Sequence, residues 1–76
     1  MPTIKRIGNL KIQVFADDHY PWHCHVVSPD FEVLVSLDDL SILKGRQYRR
    51  QISDALAWIG ENLELLQDEW TKQNER

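Results

Sequence analysis

Apolar residues recur at every second position in the first half of this 76-residue chain, and at every third or fourth in the second half. A strand sends alternate side chains to opposite faces, whereas a helix returns to the same face after about 3.6 residues. The switch of period therefore commits the chain to strands followed by helix. Leu10, Ile12, Val14 and Ala16 alternate with Lys11, Gln13 and Phe15, and Phe31, Val33, Val35 and Leu37 alternate with Glu32, Leu34 and Ser36. Gly8-Asn9 is a tight-turn pair, so Ile4 to Ile7 reads as a short partner strand. Ser28-Pro29-Asp30 carries turn chemistry, which makes residues 23–27 the preceding strand of a hairpin. Asp38-Asp39 ends the alternation, and Ser41 to Gly45 reads either as a short edge strand or as an extended connector.

From about Arg46 to Lys72, the residues Tyr48, Ile52, Ala55, Leu56, Ile59, Leu63, Leu66 and Trp70 fall on one stripe when wound as a helix. Gly60 lies inside that segment and costs about 1 kcal/mol relative to alanine, which the stripe can outweigh. The expected fold is α+β: an antiparallel β-meander of three to four strands packed on one long C-terminal helix. It forms a single domain over residues 1–76, with strands over about 4–43 and the helix over about 46–72.

A domain of this size is near the lower limit at which one core is stable without staples. The single cysteine, Cys24, cannot form an internal disulfide, so packing alone must hold the fold. That usage favours a reducing cytosol. No apolar run approaches the roughly 18 residues of a membrane span. Residues 1–6 lack the apolar stretch of a signal peptide, so a cytoplasmic protein is expected.

Chemistry concentrates at Asp18-His19-Tyr20-Pro21-Trp22-His23-Cys24-His25, which holds all three histidines beside an aspartate and the only cysteine. Imidazole binds transition metals and moves protons near neutral pH. On a strand, His23 and His25 share a face and Cys24 takes the other. If the hairpin closes tightly around Pro29-Asp30, Val26 opposes Val33 and His25 opposes Leu34. The two histidines then face away from the helix, within reach of Glu32 or Ser36. His19 or Asp18 could complete a three-ligand set with His23 and His25 for zinc, nickel, copper or iron, with Cys24 pointing away. The same imidazoles could instead form a metal-free acid–base pair, and a third alternative leaves them as hydrogen-bonded structural residues.

Lys44, Arg46, Arg49 and Arg50 cluster where the long helix should begin, on a chain whose net charge is −3. Free amides at a helix N-terminus already favour anions, so these cations suggest a phosphate site. The plainer alternative starts the helix near Ser53 and leaves the cations solvated, or pairs Arg50 with Asp54. Trp58 and Leu65 lie off the main stripe; they offer a dimer or partner surface, or else widen the contact with the sheet.

The opening Met1-Pro2-Thr3-Ile4, the string Asp18-His19-x-Pro21-x-His23-x-His25-Val26 and the segment from Ala57-Trp58-Ile59 through Asn62 to Trp70 together resemble the small bacterial domain-of-unknown-function family 4160. The resemblance covers nearly the whole chain. It departs at Trp22, where that family more often has a second proline. It implies that Asp18, His19, Pro21, His23 and His25 are the positions to carry over. It also implies a small protein partner encoded nearby, an arrangement similar to toxin–antitoxin pairs.

The leading expectation is a toxin–antitoxin-like component that binds, and in its fuller form cleaves, RNA without a required cofactor. His23 and His25 would serve as acid–base or contact groups, Asp18 would orient His19, and the basic cluster would hold phosphate. The alternatives are a noncatalytic metal-binding module through His19, His23 and His25, with zinc or another transition metal, and a protein-interaction domain.

Overall fold

The computed structural model describes residues 3–15 and 21–74. Five strands form one antiparallel sheet in simple sequence order: β1 Thr3–Ile7, β2 Leu10–Gln13, β3 His23–Val27, β4 Glu32–Ser36 and β5 Ile42–Lys44. A 3₁₀ turn at Arg46–Tyr48 leads to α1, Ser53–Glu61, and α2, Leu63–Asn74. The α+β meander is as the sequence pattern requires, with one strand more than expected. Ser41 to Gly45 supplies that extra strand, pairing Ile42 with Val35 and Lys44 with Leu34. Ala16, placed by the pattern at the end of β2, lies outside the described residues.

The β3–β4 hairpin has the register expected from its turn. The Ser28 hydroxyl accepts hydrogen bonds from the amides of Asp30 and Phe31 at 3.0 and 3.1 Å, and the Ser28 amide donates to the Phe31 carbonyl at 2.9 Å. This four-residue turn aligns Val26 with Val33, His25 with Leu34 and His23 with Ser36. Period-two geometry then divides the sheet. Leu10, Ile12, Val14, Cys24, Val26, Val33, Val35 and Leu37 are buried on the helix-covered side, together with Ile52, Ala55, Ile59, Leu66 and Trp70.

The single long helix is corrected to two helices preceded by a 3₁₀ turn. Asn62 leaves helical geometry at φ −126° and ψ 29°. Its backbone amide donates to the carbonyls of Trp58 and Ile59, and its side-chain amide donates to Trp58 O at 2.9 Å. These bonds close the last turn of α1. The Leu66 amide then donates to Asn62 O as α2 begins, so the interruption is one residue long. The apolar stripe survives it: every stripe residue from Tyr48 to Trp70 is buried or packs against the core.

Two side-chain amides tie α2 to carbonyls that follow strands. Gln67 Nε2 donates to Leu37 O at 2.6 Å, and Asn74 Nδ2 donates to Phe15 O at 3.2 Å. Trp22 packs edge-on against Trp70, with ring centroids 6.4 Å apart. The aromatic residue at the position where the resembled family favours proline therefore contributes directly to the contact between sheet and α2.

Candidate functional site

His23 and His25 lie on β3, the central strand, and both face away from the helices. The His23 Nδ1–H donates to the Pro21 carbonyl at 2.8 Å. A carbonyl oxygen can only accept, so this contact puts the proton on Nδ1 and leaves the lone pair of the neutral ring on Nε2. His25 Nδ1 is 2.6 Å from a Glu32 carboxylate oxygen across the hairpin, which places a proton on that nitrogen as well. The two ring centroids are 5.2 Å apart and the rings are tilted by 57°.

The surroundings restrain both rings. Phe15 meets His25 edge to face, with centroids 4.5 Å apart. Gln13 lies beside His25 across β2, and Ser36 lies beside His23 across β4. Both neighbours are buried and hydrogen-bonded elsewhere: Gln13 Nε2 donates to Thr3 Oγ1 at 3.0 Å, and Ser36 Oγ accepts from the Asp38 amide at 3.1 Å. His23 is 9% exposed and the His25 side chain 12%. The pair is thus a largely covered, oriented element of the sheet face.

Cys24 is fully buried in the core, on the side away from the histidines, as strand alternation requires. Burial pushes its thiol up to about 12, against a smaller lowering by a backbone hydrogen bond. It is therefore a packing residue rather than a thiolate ligand. Asp18 and His19, the other candidate site residues, lie outside the described residues. Among the described residues, no group of three or more His, Cys, Asp or Glu side chains is arranged to hold a metal ion.

The basic residues sit differently from the expected helix start. Lys44 ends β5, Arg46 opens the 3₁₀ turn, and Arg49 and Arg50 follow it, all exposed. The helix begins at Ser53, and its first turn carries Asp54, so the four cations precede the helix N-terminus instead of forming it. They make no ion pair among the described residues, Asp54 included. Tyr48 stacks on Phe31, with centroids 4.3 Å apart and planes within 5°, and both rings pack against the core. The Phe31–Tyr48 stack therefore holds the turn against the helix-covered side, whereas Lys44, paired with Leu34 at the sheet edge, shares the face of His25. Of the off-stripe pair, Trp58 is partly buried against the core, while Leu65 is 48% exposed.

The family described as "Domain of unknown function (DUF4160)" matches residues 9–71. The chain belongs to this family. The DUF4160 match includes the whole histidine segment, β2 to β5 and most of α2. No curated protein and no solved structure matches the chain. No helix of this DUF4160 chain is, among the described residues, long and apolar enough to cross a membrane.

Sequence reasoning identified the shared face of His23 and His25 and the reach of Glu32. It missed the Pro21 carbonyl, the Phe15 ring and the Phe31–Tyr48 stack. The first is a backbone group invisible to side-chain patterns. The second depends on the β2–β3 register, which no short turn fixes. The stack joins a strand to a turn that the long-helix reading had absorbed.

Proposed function

We propose that the chain is a transition-metal-binding module in which Nε2 of His23 and Nε2 of His25 are two ligands, with His19 or Asp18 adding to the set. The observation that carries this reading is the pair of Nδ1 anchors. Metal-ligating histidines characteristically donate their other ring N–H to a carboxylate or a backbone carbonyl, which fixes the tautomer and raises ligand basicity. His25 has the first kind of partner and His23 the second. The ring separation is also suitable. Two imidazoles on one tetrahedral ion at about 2.0–2.1 Å have centroids about 5 Å apart, close to the 5.2 Å between these rings. Neutral imidazole suits zinc, copper, nickel and iron, so the donor type alone does not select among them.

The test is elemental mass spectrometry and calorimetric titration with Zn(II), Cu(II) and Ni(II) on untagged protein. Wild type should bind one ion per chain, and His23→Ala/His25→Ala should bind none while keeping its circular dichroism spectrum. Glu32→Gln should weaken binding roughly 10–100-fold through loss of the anchor. Equal binding by wild type and the double variant, or none by either, overturns the assignment.

A second reading keeps the same imidazoles as an acid–base pair acting on RNA, in a bacterial, cytoplasmic, toxin–antitoxin-like component with a small protein partner. The family resemblance supports it. Cleavage of RNA by metal-free wild type, abolished in the histidine double variant, would establish it over the metal module.

A further inference from the structure

We propose that the turn from Lys44 to Arg50, together with the Phe31–Tyr48 stack, is a surface for single-stranded nucleic acid. This inference stands apart from the metal site and uses none of its residues. The first support is charge segregation. Residues 44–50 carry Lys44, Arg46, Arg49 and Arg50 and no acidic residue, on a chain of net charge −3. All four side chains are exposed, and none pairs with a carboxylate among the described residues. Cations left without internal partners on an acidic protein form a local positive field available to an external anion.

The second support is that the backbone beneath these cations is fixed. The Tyr48 amide donates to Gly45 O at 2.9 Å and the Arg49 amide to Arg46 O at 3.1 Å. In a 3₁₀ turn, residues three apart lie one above the other, about 6 Å apart along the axis. Arg46 and Arg49 have that spacing, with Arg50 following directly and Lys44 preceding them at the end of β5. A row of separate cations, with no cavity among the described residues, fits an extended polyanion better than a small enclosed anion. The part-exposed Phe31 and Tyr48 rings, stacked where the start of β4 meets this turn, add an aromatic platform. Unpaired bases expose their π faces and stack on aromatic side chains without sequence preference, while cations follow the backbone. That combination separates single-stranded nucleic acid from an acidic peptide.

The experiment is fluorescence anisotropy with an oligouridine of about 12 nucleotides, beside a duplex of the same length and a polyglutamate peptide. The single strand should bind more tightly than the duplex or the peptide. Its log affinity should fall with log salt at a slope of about −3, as four phosphate contacts to a single strand require. Arg46→Ala/Arg49→Ala should lower affinity at least tenfold and roughly halve the slope, with an unchanged melting temperature because both side chains are exposed. Phe31→Leu should weaken the single strand selectively. If that variant does not fold, the arginine pair and the three-ligand comparison still decide the matter. His23→Ala/His25→Ala should retain the affinity, so failure of the metal reading leaves this one intact. Absence of salt-dependent binding, equal affinity for all three ligands, or preference for polyglutamate would each overturn the proposal.

Discussion

Gly8 and Gly45 provide a matched pair of perturbations, because both have positive φ but only one is enclosed. Gly8, in the β1–β2 turn, has φ +61°, and a Cβ built there meets nothing within 4 Å. Gly45, between β5 and the basic turn, has φ +90°, and its Cβ would lie 2.9 Å from Glu32 O, 3.1 Å from Val33 Cγ2 and 3.2 Å from Val33 Cα. Left-handed backbone costs an L-residue about 1–2 kcal/mol, offset by about 0.4–1 kcal/mol of reduced unfolded-state entropy. Gly8→Ala should therefore destabilise by at most about 1.6 kcal/mol. At Gly45 the backbone strain is about 1–3 kcal/mol. Two of the three clashing atoms are backbone and cannot rotate away, which adds an overpacking term of about 1–3 kcal/mol. The sum, about 2–6 kcal/mol, is a large part of the roughly 4–11 kcal/mol expected for a domain of this length. At about 4–8 °C per kcal/mol, Gly45→Ala should lower Tm by at least about 8 °C. Urea titration of both variants, with m held constant, gives the difference directly. If Gly45→Ala is as mild as Gly8→Ala, the close approach of Gly45 to β4 is wrong, and so is the account of what holds the basic turn on the sheet.

Cys24 in the native protein should resist iodoacetamide at mildly alkaline pH and react only on unfolding; mass spectrometry showing equal rates in native and denatured protein would refute its burial. Because folding raises its thiol from 9.0 to about 12, the contribution to stability from keeping that thiol protonated should be lost as pH climbs through this window. Cys24→Ala, compared by urea melts, should lack that loss. Asp39 is held below its ordinary 3.8, chiefly by the Ser41 side chain and next by the Ser41 amide, which donates to Asp39 Oδ1 at 3.0 Å. Its contribution is present above 3.8 and lost as pH falls through the lowered value, so the stability gap between wild type and Asp39→Ala should shrink in acid; a constant gap contradicts this. Leu66→Ala, at a fully buried position, should cost about 2–5 kcal/mol in the same urea assay.

The strand register around the histidines was legible because a four-residue turn leaves no freedom: once Ser28 to Phe31 closes the hairpin, His25 must oppose Leu34. The face assignment followed from alternation alone. The split of the helical half was not legible, since Ile59, Leu63, Leu66 and Trp70 keep their spacing straight across Asn62. A stripe reports which side is buried and is blind to a single residue that leaves helical φ and ψ. Asn62, two residues after Gly60, was the available signal, because asparagine tolerates helix termini better than interiors. β5 stayed open between an edge strand and a connector because, in three residues, it has one partly buried side chain and an exposed Leu43, too short a pattern to alternate. Of the candidate site, the two strand histidines and Glu32 could be read from side-chain periodicity. The carbonyl of Pro21 and the edge of Phe15 belong to chain segments whose course periodicity does not set.

The meander order of the sheet also bears on how the chain reaches its native state. Sheet neighbours are sequence neighbours, so each strand pairing closes a short loop, except that Gln13 and His23 are joined by the longest strand-to-strand connection. Loop-closure entropy makes local hairpins the earliest contacts available. β3 and β4 can therefore bring His25 to Glu32 inside a self-contained hairpin, before β2 docks. Gln13 and Phe15 reach the histidine only when that longer loop closes. Mutations at the Ser28 turn should mainly slow folding, and mutations at Phe15 should mainly speed unfolding. The histidine pair would then acquire its carboxylate anchor early and its aromatic neighbour late.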